Sequence, residues 1–395
     1  MEPGEDPLAI TSETFRATPG NFSVLIECWD STRNLARRVK SIKLEKPGRL
    51  ELEVERFGKK AGALTLADLA RASNHYVERR GERRKYRERF RESLERQFPD
   101  WRVVDVSAEQ DLHHSFSPVY PRALLRKGTT ALAAIGAPED ATAPEAALSF
   151  GLIWLDYLRR REKRVSIEGL ALFVPAGREQ ALCHRVRFLN PRAARYLVFV
   201  QDGNTYEQQI DPGDYTNLET RLDVASEERP RFSARTKSRM PNREAMLESR
   251  IRGNIQEIDA TLRAEPVYGQ VPQFAGVDRG FMDLLAVDHD GLLAVLELKV
   301  DQDIHLPLQA LDYWMRVKWH LDKGDFAARG FFPGIALRAE PPRLLLVAPA
   351  LEFHPTNEAI LKFFAPEICV ERLGIGIEWL RELKVVFRPG PFRNS

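Results

Sequence analysis

Cysteine is scarce. Of 395 residues only Cys28, Cys183 and Cys369 carry thiols, far apart and outside any Cys-x-x-Cys or Cys/His cluster. That spacing argues against a disulfide framework and against structural zinc. The one adjacent histidine pair, His113-His114, lacks metal-ligand spacing and reads as surface or core filler. No apolar run reaches membrane length, and no charged start leads into a short apolar stretch of the secretory kind, so the expected location is the cytoplasm. Charge of one sign is missing too. With 59 Lys and Arg against 57 Asp and Glu, the formal charge is +2 and the chain as a whole is no polycation. There is no phosphate-cradling Gly-rich loop and no serine nucleophile elbow, which leaves ATP-driven hydrolysis and serine catalysis without support.

What basic character there is lies in two places. Glu78 to Phe98 holds nine Arg or Lys against five Glu, and Ser226 to Arg243 is Arg-rich with Pro230 and Pro241 interrupting it. Either can track a phosphate backbone. The first also carries Tyr86, Phe90, Leu94 and Phe98 near helical spacing, so the solvated face of an amphipathic helix explains it equally well. The second reads as an interdomain linker over residues 226–241.

The chemistry is concentrated between Arg279 and Lys299, where the chain reads as a β-hairpin containing Asp283, Glu297 and Lys299. Alternation along a strand points Glu297 and Lys299 to one face and Leu296 and Leu298 to the other. If His289, Asp290 and Gly291 form a three-residue loop with Gly291 left-handed, Asp288 closes against Leu292 and Asp283 stands across from Glu297. A two-residue Asp-Gly loop would put Leu284 there and turn Asp283 away. The three-residue register is the one expected.

Two carboxylates so placed repel unless a cation sits between them. Oxygen ligands with open positions suit Mg²⁺ or Mn²⁺, and a lysine beside such a metal can orient the attacking water of a phosphodiester hydrolysis. The plainer alternative is a surface ion pair between Glu297 and Lys299, which is worth well under about 1 kcal/mol. Both residues, however, sit in the otherwise apolar run Leu292 to Val300, where an unpartnered charge is rare.

Asp283 followed by Glu297-Leu298-Lys299 resembles the PD-(D/E)XK nuclease superfamily, and within it the RecB-like and mismatch-endonuclease-like domains. Gln309 and Tyr313 stand where the RecB-like branch has its Gln-x-x-x-Tyr helix motif, ten residues beyond Lys299. At i and i+4 they share a helical face, as they also would in an ordinary capped helix with an amphipathic Tyr. The residue before Asp283 is Met282 and not the proline of the family name. The resemblance implies Asp283 and Glu297 as metal ligands, Lys299 as the water-orienting group, and Gln309 and Tyr313 as support for the site or for substrate. It also implies a further ligand on the preceding helix, for which Glu248 is the candidate; Glu248 and Arg252 can equally form a plain i,i+4 pair. The implied cofactor is Mg²⁺ or Mn²⁺, and the implied partner is nucleic acid, with DNA expected. A non-catalytic nucleic-acid-binding or scaffold protein of the same fold is the rival reading.

Element order agrees with an α/β protein whose C-terminal part has a restriction-endonuclease-like αβββαβ core. Asn242 can cap a helix reaching about Leu262, with Leu247, Ile251, Ile255, Ile258 and Leu262 at helical spacing. Three strands follow, Val267 to Phe274, Gly280 to Val287 and Leu292 to Val300. A helix from about Pro307 through Trp319 and a strand from Arg343 to Ala348 complete the core. The expected domains are a β-rich module over 1–66, with a hairpin across a Gly-Lys-Lys turn, an α/β domain over 67–225, the linker, and the nuclease-like domain over 242–395. In the second of these, Leu155-Asp156-Tyr157 and Leu170 to Ala176 echo Leu311-Asp312-Tyr313 and Leu344 to Ala350 in the same order. Either it is a worn copy of the nuclease-like domain or the likeness is chance. In such a copy Thr130 to Gly136 would stand in place of the acidic strand and could hold no metal.

Overall fold

Strands form where apolar residues alternate or run together, and helices where they recur every three or four residues. In the computed structural model of the chain these patterns give a mixed α/β protein with three sheets and, among the described residues, eight α-helices. The structure describes residues 15–19, 24–29, 34–46, 49–56, 59–67, 69–108, 115–141, 143–202, 206–218, 222, 243–275 and 278–392. His113-His114, the linker at 226–241 and Asn242 lie outside them. The chain divides into two compact units, Met1–Tyr86 and Arg87–Ser395. No described helix is long and apolar enough to cross a membrane, and the three cysteines are free thiols.

The first unit is an antiparallel meander of β1 (Phe15–Pro19), β2 (Val24–Trp29), β3 (Asn34–Lys46), β4 (Arg49–Arg56) and β5 (Lys59–Ala67). Leu50 pairs with Leu66 and Glu53 with Ala63, as expected of that hairpin. Lys59 and Lys60 differ from expectation in belonging to β5, and Gly58 lies outside the described residues. Ile26, Leu52, Val54 and Leu64 make its small core.

The second unit contains one plan twice. After α1 (Leu69–Gln97) come β6 (Arg102–Ser107), β7 (Arg122–Lys127), β8 (Thr130–Gly136), α2 (Ala146–Arg161), β9 (Ser166–Pro175), α3 (Gln180–Val186), β10 (Arg195–Asp202) and β11 (Tyr206–Ile210). The second half begins with α4 (Arg243–Gly253) and α5 (Ile255–Ile258), then β12 (Tyr268–Ala275), β13 (Asp278–Val287) and β14 (Leu293–Leu298). It continues through α6 (Leu306–Asp322), α7 (Asp325–Ala328), β15 (Arg343–Pro349), α8 (Asn357–Leu361), β16 (Val370–Ile375) and β17 (Val385–Phe387). Each half folds into a six-stranded sheet in sequential order. In each, the first three strands are antiparallel, the next two are added in parallel after a helix, and the last returns antiparallel.

Each sheet is covered on both faces. Phe90, Leu94 and Phe98 pack over Leu125, Leu132 and Phe173 on one face of the first sheet. Leu247, Ile251, Ile255 and Ile258 do the same over Leu284, Leu296 and Leu345 on the second. The remaining faces, with α2, α3, α6 and α8 between them, share one continuous core that joins the two halves. The helix expected to run unbroken to Leu262 is interrupted: at Asn254 the backbone leaves the helical region (φ −141°, ψ 41°) and its side-chain amide donates to the Arg250 carbonyl at 2.9 Å. Its apolar stripe is buried even so.

Candidate active site

The β13–β14 hairpin has the three-residue loop. The Asp288 N–H donates to the Leu292 carbonyl at 2.9 Å, and Gly291 takes φ +89°. Pairing then runs Val287 with Leu293, Ala286 with Ala294, Leu285 with Val295 and Leu284 with Leu296. The ladder ends there, and the same register carried one step further sets Asp283 across from Glu297. Leu284, Leu296 and Leu298 belong to the core under α4, whereas Leu285 and Val295 belong to the core under α6. By alternation Asp283, Glu297 and Lys299 share the α6 face. Beyond the end of β14, the Lys299 N–H still donates to the Val347 carbonyl of β15 at 3.0 Å, which fixes the lysine at the sheet's parallel end.

Side-chain contacts tighten this group. Asp283 Oδ2 accepts from the Leu298 N–H at 2.8 Å, and Lys299 Nζ stands 3.4 Å from Glu297 Oε1. Glu297 is only 3% exposed, yet its Oε2 has no hydrogen-bond partner among the described residues. Burial pushes the Asp283 carboxyl up to about 6, against the Leu298 N–H and the Lys299 charge, with the Glu248 and Glu244 carboxylates adding to the rise. Burial and then Asp283 raise Glu297 well above the usual carboxylate range. Burial works against the Lys299 ammonium, but Glu297, Glu244, Asp303 and Asp283 outweigh it and hold its pKa up. These directions compete, since a proton on Glu297 removes the charge nearest Lys299. Burial of Glu297 is the stronger effect, because its Oε2 has nothing to replace water.

On α6, Tyr313 interacts with this centre. Tyr313 is held protonated, by burial first and then by the charges of Glu297 and Asp283. Gln309 lies one turn earlier on the same stripe, and its Oε1 is a second buried oxygen without a hydrogen-bond partner. Glu248 sits on α4, whose apolar residues cover the opposite face of the sheet. Its Oε1 stands 3.9 Å from Arg252 Nη1, the i,i+4 pair, and its charge still acts on Asp283. Two acidic residues escaped the sequence reading. Glu244, one turn before Glu248, acts on Asp283 and Lys299, and Asp303 acts on Glu297 and Lys299 while accepting from the His305 N–H at 2.7 Å. Helical spacing from Glu248 would have found the first; the second sits in a loop with no periodicity to mark it.

Among the described residues no group of three or more His, Cys, Asp or Glu is gathered in ligand geometry. The donor set at the hairpin is two carboxylates, all oxygen, with one buried oxygen unsatisfied. Such a set fits a hard divalent cation that keeps water or takes a phosphate in its remaining positions. The chain matches no protein-family model and no curated protein.

Proposed function

We propose that the protein is a divalent-metal-dependent nuclease of the PD-(D/E)XK type, hydrolysing phosphodiester bonds of nucleic acid, with DNA the expected substrate. The observation that carries this is the hairpin itself: its ladder ends at Leu284 with Leu296, Asp283 Oδ2 accepts from the Leu298 N–H at 2.8 Å, Lys299 Nζ stands 3.4 Å from Glu297 Oε1, and a buried Glu297 oxygen has no hydrogen-bond partner among the described residues. The element order α4–α5, β12–β13–β14, α6, β15 supports this reading, since it follows the αβββαβ sequence that the resemblance implies.

Asp283 and Glu297 would hold Mg²⁺ or Mn²⁺, with Glu248 as a third carboxylate acting through its charge. When bound, the cation would supply Lewis-acid stabilisation of charge on the phosphate. Lys299, whose surroundings keep it protonated, is a fixed positive charge that donates to the attacking water and holds it toward phosphorus. Tyr313, held protonated, and Gln309 offer hydrogen bonds to the substrate backbone from the adjacent face of α6.

The test is incubation with duplex DNA, single-stranded DNA and RNA, each with Mg²⁺, Mn²⁺ or EDTA. Cleavage that needs metal is expected, and Lys299→Ala should lower it by orders of magnitude while nucleic-acid binding changes little. A second reading, non-catalytic nucleic-acid binding on the same fold, draws on Glu248, whose Oε1 stands 3.9 Å from Arg252 Nη1 as a plain i,i+4 pair. Wild-type protein that binds nucleic acid, cleaves none under either metal and is matched in binding by Lys299→Ala would replace the first reading with the second.

A further inference from the structure

The two halves of the second unit meet across a pseudo-two-fold axis. Leu189 and Phe364 form an antiparallel bridge, each three residues past the end of its helix, α3 or α8. Around it the hydrogen bonds are reciprocal: the Asn190 N–H donates to Phe363 O at 2.7 Å and the Ala365 N–H to Phe188 O at 2.9 Å. Helix α2 packs on α8 as α6 packs on α3. Asp156 of α2 pairs with Lys362 at 3.5 Å, and Asp312 of α6 pairs with Arg185 at 2.7 Å. Ser149 Oγ and His305 Nδ1, equivalent positions by the Asp156–Asp312 match, touch each other at 2.8 Å.

This symmetry identifies the counterparts of the active-site residues. In the first half the Ala137 N–H donates to Phe173 O, as the Lys299 N–H does to Val347 O in the second. The Ala176 N–H donates to Gln201 O as the Ala350 N–H does to Ile375 O. In that alignment Leu172 pairs with Ile135 as Leu346 pairs with Glu297, so Ile135 replaces Glu297 and Ala137 replaces Lys299. Arg122, paired with Ile135, replaces Asp283. The Arg122 guanidinium lies 4.1 Å from the centroid of Phe116 and 5.3 Å from that of Trp154. On the helix, Ile153 and Tyr157 replace Gln309 and Tyr313. No carboxylate remains at either hairpin position.

We infer that the chain is an intramolecular dimer of one fold with a single working centre, and that it therefore cuts one strand of a duplex in each encounter. This rests on the function proposed above. The strands of a duplex are antiparallel and related by two-fold axes, so cutting both in one encounter takes two centres related in the same way. Here the symmetric position is occupied by Arg122, Ile135 and Ala137. A second chain cannot supply the missing centre through the same contact, because α2, α3, α6 and α8 already bury that face in the shared core.

The experiment uses the full chain and supercoiled circular duplex DNA with Mg²⁺ or Mn²⁺, sampled in time, with single-stranded DNA in parallel and Lys299→Ala as the control. Nicked circles should accumulate first, with linear DNA appearing only after a lag as independent nicks coincide. Linear product formed without a nicked precursor, at any protein concentration, would overturn the inference and leave the nuclease reading standing. Cleavage confined to single strands would have the same effect. Absence of cleavage on every substrate would overturn both.

Discussion

Asp283 and Glu297 are two carboxylates held where neither is comfortable as an anion. In the folded, metal-free chain Asp283 titrates near 6 instead of its ordinary 3.8, chiefly because it is buried, and Glu297 is shifted the same way. A carboxyl raised on folding binds protons more tightly in the native state, so the stability it contributes is complete below its unfolded pKa and is lost as pH rises through the folded one. Between about pH 4 and pH 7 the metal-free protein should lose stability from Asp283 alone by up to about 3 kcal/mol, with solvent screening reducing that figure. Thermal melts in EDTA across this range should show the decline, and Asp283→Asn should flatten it. Millimolar Mg²⁺ or Mn²⁺ should reverse the decline at pH 7 in the wild type and do little for the variant. A melting temperature that ignores both pH and metal would sink the idea of a preformed anionic site. The three residues at this centre were legible in the sequence because a strand offers only two faces and the His-Asp-Gly loop decides between them. Glu244 and Asp303 were not, since their influence comes from where a helix and a loop happen to dock.

At the scale of elements, the hairpin depends on one residue. Gly291 has φ +89°, and a Cβ there would meet the Ala336 carbonyl oxygen at 2.2 Å, a backbone atom that cannot swing aside. The left-handed conformation alone costs a non-glycine residue roughly 1–2 kcal/mol, and the collision adds to it. Gly291→Ala should therefore destabilise the protein by more than that in chemical denaturation, and should weaken metal binding by disturbing the loop that sets Asp283 opposite Glu297. An effect below about 0.5 kcal/mol would mean that the loop does not control the register. Long periodic segments elsewhere were readable for the same physical reason. The strands β12 to β15 fall within two residues of their expected bounds and the helix α6 within three, since hydrophobic alternation and Pro307 mark them. The break between α4 and α5 was hidden because the apolar stripe continues across it, while Asn254 satisfies a local backbone carbonyl instead of the helix. Short elements such as α8 and β17 offered too few residues for any period to show.

Over the second unit as a whole, the repeated plan places similar groups in unequal surroundings, and burial decides what they contribute. Arg185 reaches Asp312 with two hydrogen bonds, 2.9 and 2.7 Å, and its side chain is 10% exposed. The related pair across the axis, Lys362 with Asp156, is a single 3.5 Å contact from a lysine 49% exposed. Removing one partner of a buried, bidentate pair leaves the other charged and dry, so Arg185→Ala and Asp312→Ala should each cost roughly 3 kcal/mol. In the double variant neither charge is stranded, and the loss should fall short of the sum by about 1–3 kcal/mol. Lys362→Ala, by contrast, should cost less than about 1 kcal/mol, because Lys362 is itself half exposed and the buried Asp156 retains Arg160 at 2.6 Å as a second partner. Denaturation curves for these four variants measure how firmly the two halves are joined. A steeply destabilised Lys362→Ala beside a tolerant Arg185→Ala would mean that the axis is held at the opposite end from the one the burial of these charges indicates.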